Sequence, residues 1–593
     1  MTILQALNRL GERMEAEGRL PPLGFSSEKI SFAISLREDG TCAEVIDLRD
    51  VTSKKLPPKQ MAVPQPVKRT SGVAPNFLWD KTAYVLGVTA GEGKRLAEEH
   101  AAFVERHLKE LDGSEDAGLK ALRLFLQSWN PENFAPPLWP EEMRDQNVVF
   151  ELAADHRKRF LHERPAARAL WDRLNAEGAG GLAVCLVTGE AAPVARLHPA
   201  VKGVWGAQSS GASLVSFNLD AFTSYGHEQG DNAPVSAAVA ARYTGALNEC
   251  LKRGSGHFLQ LGDASTIFWA EPKEEGLDAG LLELAESVAI GFFDEPPPVD
   301  MGAQAQQVQA ILLRIRAGER LESLKPELAE GVRFHVLGLA PNAARLSVRF
   351  YWQDDFGALA ENYRCFSAEM AIAPPPRSGN PPLWRYLRET AVLGKSENVP
   401  PNLAGEWLRA ILTGTAYPLT LLSSVLMRLR ADGDVNALRV AMLRAVLIRN
   451  FKLHPEKEAP VAFDPDNENK GYLLGRLFAV YEQIQSAALG GVNASIKDKF
   501  YGSASAQPQK VFALLDRGSA PHLSKLAKTR LHQRISLEKL IISIMEKMSP
   551  DGDPFPVALA PQEQALFGLG YYHQRNEFFK PAKDAAPQEE TAE

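Results

Sequence analysis

Apolar and polar positions change period several times along this chain. In "ISFAISL" (30–36) Phe32, Ile34 and Leu36 alternate with small residues, "REDGT" supplies turn chemistry, and "CAEVIDL" (42–48) returns, which predicts a β-hairpin. Helical spacing dominates at 93–126 and 155–174, and "LAVCLVTG" then reads as a strand. "GHFLQLGDASTIFWAE" (256–271) predicts a hairpin turning at Gly262-Asp263, and 332–352 two strands around Pro341-Asn342. In the second of these, Leu346, Val348 and Phe350 share one face, and Arg345, Ser347, Arg349 and Tyr351 the other. Beyond "APPPRSGNPPLW" (373–384) the pattern is helical, with a polar break at 454–471. After it, Leu474, Leu477/Phe478, Tyr481, Ile484 and Ala488 form one stripe and "LEKLIISIMEKM" another.

The fold class is therefore α+β: a mixed α/β N-terminal region with antiparallel hairpins, followed by a helical C-terminal bundle. Punctuation at "FDEPPPVD" (293–300) and at 373–384 divides the chain into an α/β region at 1–295, a β-containing region at 300–375, a helical region at 376–460 and a helical bundle at 471–593. The bundle ends in "DAAPQEETAE", an acidic tail whose composition predicts disorder.

Length and composition add limits. At 593 residues the chain exceeds one ordinary core. The first helix carries Arg9, Glu12, Arg13 and Glu15, so it is neither a signal peptide nor an anchor. The four cysteines lie far apart without metal or disulfide spacing, and a reducing cytoplasm fits. A net charge of −7 argues against an all-round basic surface. Charge is local, however: 501–550 holds eight Lys/Arg against three Asp/Glu, a balance of +5.

Catalytic motifs fail on spacing. In "GVTAGEGKR" (87–95) five residues separate Gly87 from Gly93, and Lys94 is followed by Arg95, which is not a nucleotide-binding P-loop. "LGKS" (393–396) has Glu389 where the first glycine belongs. Ser209 and Ser210 lack the flanking glycines of a nucleophile elbow. The twelve histidines include no HxH or HxxxH pair. No enzyme activity, cofactor or metal is expected.

Nucleic-acid contact is the chemistry that remains. "PVKRTSGVAPNFLWD" (66–80) joins Lys68, Arg69, Thr70 and Asn76 to the aromatic anchors Phe77 and Trp79. Cations neutralise phosphates, hydroxyls position a strand, and Asn pairs with base edges. "KGVWGAQSSGASLVSFN" (202–218) offers Lys202, Gln208, Ser209 and Ser210 on a glycine-rich backbone, with Trp205 expected to anchor it and "LVSFN" to leave it as a strand. A second polar loop at 222–236 adds Tyr225, Gln229 and Asn232; on adjacent strands the two would form one uncharged reading surface. Near the C-terminus Lys525, Lys528, His532 and Lys539 project onto one helical face, Arg530 and Arg534 break the division, and the helix is expected to end near Ser536. Each feature also has a plain reading, as a pinned surface loop or a solvated helix face.

Five strings carry a resemblance: "RTSGVAPNFLWDKTAYVLG" (69–87), 185–236, "LGLAPNAARLSVRFY" (337–351), "GRLFAVYEQIQ" (475–485) and "FGLGYYHQR" (567–575). In order and across essentially the whole chain, they resemble the large subunit of type I-C CRISPR Cascade surveillance complexes. The resemblance implies a non-catalytic, DNA-binding subunit beside a guide-RNA ribonucleoprotein with backbone and cap subunits. Such a subunit reads the protospacer-adjacent motif in duplex DNA, assists strand separation, stabilises the displaced strand and licenses a recruited helicase–nuclease, while base pairing reads the rest of the target. It also implies that the C-terminal bundle resembles the small helical subunits of such complexes. Placed in that frame, Lys68, Arg69, Thr70, Asn76, Lys202, Gln208, Ser209, Ser210 and Asn232 are expected at the motif, and Arg345, Arg349, Lys525, Lys528, Arg530, Arg534 and Lys539 on the displaced strand. The alternative is a scaffold that contacts only guide RNA and protein partners.

Overall fold

In the computed structural model the described residues are 2–50, 56–67, 69, 72–177, 181–217, 219–262, 264–274, 276–294, 302–377, 379–490, 494–548 and 553–580. The chain divides into two units: Met1–Val201 with Ser213–Glu249, and Lys202–Ala212 with Cys250–Glu593.

The first unit contains β1 (Phe25–Ile30), β2 (Phe32–Leu36), β3 (Cys42–Asp47), β4 (Lys59–Pro64), β5 (Trp79–Lys81), β6 (Asn147–Leu152), β7 (Leu182–Val184) and β8 (Ala191–Pro193). Its helices are α1 (Ile3–Ala16), α2 (Thr82–Val85), α3 (Leu96–Glu110), α4 (Ala117–Ser128), α5 (Pro165–Glu177) and α6 (Ala237–Cys250), the last residue of which belongs to the second unit. The expected hairpin forms, with Phe32 opposite Asp47 and Ile34 opposite Val45. β2 also runs parallel to β6, giving the order β3-β2-β6-β5. A strand with neighbours on both edges and cover on both faces must be apolar throughout, and all five residues of β2 are buried. Phe32, Ile34 and Leu36 share a core with Phe103, Phe125, Phe150 and Trp171. Ala33 packs on the other face with Met61 and Val63 of the β1–β4 ribbon. At the start of α1, Thr2 and Gln5 form the reciprocal capping pair.

The second unit begins with the antiparallel sheet β12-β11-β10-β9, made of β9 (Phe258–Leu261), β10 (Ala264–Pro272), β11 (Val332–Asn342) and β12 (Arg345–Asp355). The expected strand pairs are present, but two details differ. The β11–β12 turn falls at Ala343-Ala344, with Ala343 at φ 53°, so Pro341 and Asn342 remain in the strand. A bulge at Arg349 shifts the register: Val348 pairs with Leu339, yet Phe350 pairs with Gly338. One extra residue reverses the alternation, so Phe350 lies on the face opposite Val348. Gly338 makes room for the Phe350 ring, which lies where a β-carbon would sit.

Helices α7 (Ala279–Phe293), α8 (Ala303–Arg316), α9 (Leu321–Leu324), α10 (Pro326–Gly331) and α11 (Phe356–Glu369) accompany this sheet. α12 (Leu383–Glu389), α13 (Leu403–Thr413), α14 (Leu419–Asp432) and α15 (Ala437–Arg449) follow. The chain ends in α16 (Lys470–Leu489), α17 (Ile496–Ala506), α18 (Pro508–Thr529), α19 (Leu531–Glu546) and α20 (Pro561–Glu577). The linker residues 295–300 and the acidic tail from 581 lie outside the described residues. No helix among the described residues is long and apolar enough to cross a membrane.

α16 and α20 touch backbone to backbone. A β-carbon at Gly475 would strike the Phe567 carbonyl oxygen, one at Gly570 the Tyr472 carbonyl, and one at Gly471 the Glu563 carbonyl. Gly518, on the outside of α18, has open space around it. Gly475→Ala is therefore expected to destabilise the bundle by about 3 kcal/mol, because backbone cannot yield to the added methyl. Gly518→Ala should stabilise it by roughly 0.5–1 kcal/mol through helix propensity. Denaturant unfolding of the two variants checks both signs.

Of six buried histidines, four are held neutral by burial. Burial pushes His107 down to about 3 and His162, His198 and His573 to about 4. At His107, Nε2 accepts from the Leu78 N–H (2.9 Å) and Nδ1 donates to the Phe103 carbonyl (2.8 Å), a pattern only the neutral ring can make. In the unfolded chain these side chains titrate near 6.5, so between pH 6.5 and about 4 the unfolded state binds more protons. Stability is thus fully present above pH 6.5 and falls with pH, each group contributing up to about 1.4 kcal/mol per pH unit. For the three in the first unit that sums to roughly 4 kcal/mol per pH unit near pH 5.5. Urea unfolding of the first unit is expected to give a stability roughly 4 kcal/mol lower at pH 5.5 than at pH 7, and a pH-independent midpoint would contradict it.

Candidate nucleic-acid interface

The basic C-terminal segment is two helices rather than one. α18 ends at Thr529, Arg530 leaves helical geometry (φ −150°, ψ 62°), and α19 runs on through Ser536 to Glu546. The expected single face from Lys525 to Lys539 is therefore split, because a 3.6-residue projection does not carry across a break. Lys525 and Lys528 belong to α18; His532, Arg534 and Lys539 belong to α19. Leu526 of α18 and Leu537 of α19 are buried and Leu523 is half-buried, whereas Leu531 is exposed.

Within α18 the segregation is sharper than the sequence reading made it. Val511, Phe512, Leu515, Ser519 and Leu526 are buried. Lys510, Leu514, Arg517, Pro521, Lys525 and Lys528 are exposed, at spacings of four, three, four, four and three. They fall within about 80° of arc at 3.6 residues per turn, and at 1.5 Å per residue the stripe is about 27 Å long. The one carboxylate of α18, Asp516, lies off this stripe and accepts from the Tyr481 hydroxyl (3.0 Å). Among the described residues Lys510, Arg517, Lys525, Lys528 and Arg530 make no ion pair. On α19, Arg534 is held by Glu538 (3.1 Å), while Lys539 is exposed. Lys547 is paired with Asp466 (3.0 Å). Sequence reasoning left out Lys510 and Arg517 as contact residues; the same i, i+4, i+7 spacing that marks the stripe was available to find them.

The glycine-rich loop belongs to the second unit and is built from two successive turns. The Ala207 N–H donates to the Val204 carbonyl (3.1 Å), and the Gly211 N–H to that of Gln208 (2.9 Å). Gly203, Gly206 and Gly211 have φ of 90°, 76° and 96°, so their glycines answer a backbone requirement. Val204 and Ala212 are buried and hold the ends. Trp205 does not anchor the loop: the residue is 61% exposed, and its backbone N–H is tied to Ser265 Oγ (2.9 Å). Lys202, Gln208, Ser209 and Ser210 are exposed. Residues 214–217 leave as irregular chain rather than as a strand, and Asn218 lies outside the described residues.

The second polar loop lies in the first unit, whereas the glycine-rich loop belongs to the second. Asn232 braces it from inside: Oδ1 accepts from the Ser224 N–H (3.0 Å), and Nδ2 donates to the carbonyls of His227 (3.2 Å) and Gln229 (3.0 Å). Tyr225 sits at the tip, fully exposed at φ 51°.

In the 66–80 segment Phe77 and Trp79 are buried, as expected of anchors. Asn76 is buried beside them; its Oδ1 accepts from the Val67 N–H (3.0 Å) and its N–H donates to Asp80 (2.8 Å). Arg69 forms an ion pair with buried Asp80, donates to the Ala74 carbonyl (2.7 Å) and lies 4.1 Å from the Tyr84 ring centre. Burial pushes Asp80 up, opposed by the Asn76 N–H and the Arg69 cation. Arg69 and Asn76 thus spend their polar groups inside the segment. Lys68 and Thr70 lie outside the described residues. On β12, Arg345 is half-buried and Arg349, the bulge residue, is exposed.

Around these surfaces, no group of three or more His, Cys, Asp or Glu among the described residues is placed to hold a metal ion. The 87–95 turn enters α3 and borders an open hollow of about 310 Å³ lined by Thr89, Gly93, Lys94 and Glu99. Lys94 there pairs with Glu92 (3.5 Å). No curated protein matches the chain. A family model described as CRISPR-associated protein (Cas_Csd1) matches residues 7–579, nearly the whole length, and the chain therefore belongs to that family of Cas8-type CRISPR subunits.

Proposed function

We propose that the chain is the large subunit of a type I-C Cascade complex, which reads the protospacer-adjacent motif in duplex DNA and holds the displaced strand. The observation that carries this reading is the outer stripe of α18, where four cations stand free of ion pairs in a protein of net charge −7. A strand with phosphates about 3.4 Å apart places roughly eight along 27 Å, and flexible lysines on one helix face suit a backbone read without regard to sequence. Motif reading is assigned to the 202–212 loop, whose Lys202, Gln208, Ser209 and Ser210 reach solvent, with Arg69, Asn76 and Asn232 supporting their own loops. Arg345, Arg349 and Lys539 are secondary strand contacts.

In this reading the subunit works in the cytoplasm on a guide-RNA ribonucleoprotein with backbone, cap and small helical subunits. It needs no catalytic group of its own: base pairing supplies specificity, and a recruited helicase–nuclease supplies the chemistry.

Neutralising Lys525 and Lys528 together (Lys525→Gln/Lys528→Gln) removes two phosphate contacts. In the assembled complex this should flatten the dependence of log K on log salt by about 1.4 for a single strand, uniformly across sequences. An unchanged slope would favour a scaffold that contacts only guide RNA and protein partners.

A further inference from the structure

Eight of the nine tryptophans are buried or half-buried; Trp205 alone is exposed. A free indole face is costly to leave in water: full burial of such a side chain is favoured by roughly 1.5–3 kcal/mol. Here it is also held in place. Trp205 occupies the second position of the Val204–Ala207 turn, its N–H is tied to Ser265, and Gly206 supplies the left-handed third position. Val204 before it and Ala212 at the end of the loop are buried. The second turn presents Gln208, Ser209 and Ser210, whose side chains make no hydrogen bond among the described residues.

We propose that Trp205 stacks on the face of an unpaired nucleobase, with Gln208, Ser209 and Ser210 as adjacent hydrogen-bonding groups. This rests on the proposed DNA-binding role and gives the 202–212 loop a ligand: a base exposed where the duplex opens. Residues 202–218 contain one lysine and no carboxylate, so a polynucleotide backbone approaches without repulsion. Tyr225, a second exposed aromatic, fits less well, because Asp220, Glu228 and Asp231 surround it in sequence and repel phosphate. Stacking needs no particular base and accepts any π-face, which suits a loop that meets whatever base follows a recognised motif.

The test uses the full chain in its assembled complex and a labelled duplex with a central unpaired bubble. Trp205→Ala should weaken binding about tenfold with the salt slope unchanged, and Trp205→Phe should stay within about threefold of the parent. Replacing the bubble bases by abasic sites should weaken the parent complex similarly and remove the effect of the alanine variant, the signature of two partners in one contact. This second arm needs no variant to fold. If Trp205→Ala binds like the parent while Lys525→Gln/Lys528→Gln is weakened, the stacking role is overturned and the DNA-binding role stands. If neither variant changes binding, both fall. If Trp205→Ala prevents assembly of the complex, the ring is a protein anchor and the proposal is wrong.

Discussion

The close approach of α16 and α20 is the constraint on which the C-terminal half depends. Three glycines bring carbonyl oxygens of one helix to where side chains of the other would stand. With the two backbones in contact, α16 is buried almost without interruption from Gly471 to Tyr481. Its other flank receives Phe512 of α18 through Tyr481, with ring centres 6.5 Å apart. α18 therefore needs only one apolar edge to hold its place. The opposite edge carries no packing duty, which leaves its composition open to solvent-facing cations.

Charge is distributed with the same economy. Many arginines are committed: Arg164 to Asp116 (2.8 Å), Arg242 to Glu15 (2.9 Å), Arg439 to Asp432 (2.7 Å) and Arg449 to Glu369 (2.8 Å). Arg444 is buried without a carboxylate and donates instead to the carbonyls of Ala368, Glu369, Pro455 and Ala459. Such groups hold loops and helices together and offer little to a polyanion. In an acidic protein, attraction for a strand must come from cations left unpaired and near one another, because screening confines each charge to about 10 Å. The outer edge of α18 meets that condition.

Much of the architecture was legible in the residues. The β2–β3 hairpin, the β9–β10 and β11–β12 pairs and the helical C-terminal half follow from periods of 2 and 3.6, which report local geometry directly. The failures lie where one residue resets the phase. Arg349 bulges out and moves Phe350 to the other face, and Arg530 breaks the helix so that Lys525 and Lys539 no longer share an axis. Burial of polar side chains was equally hidden. Nothing in "VAPNFLW" marks Asn76 as an inward brace, because its partner, the Val67 N–H, is fixed by how the segment folds back. Trp205 reversed expectation for the same reason: aromatic residues are usually interior, and only the turn around Gly206 turns this one outward.

The central claim is that the outer edge of α18 lies on the displaced strand. A photoreactive amino acid in place of Leu514, which is 55% exposed within the stripe, tests it directly in the assembled complex on a target duplex labelled in the non-target strand. The account predicts a crosslink to that strand, formed only after the duplex opens and lost at high salt. Crosslinks confined to guide RNA or to another protein subunit would contradict it.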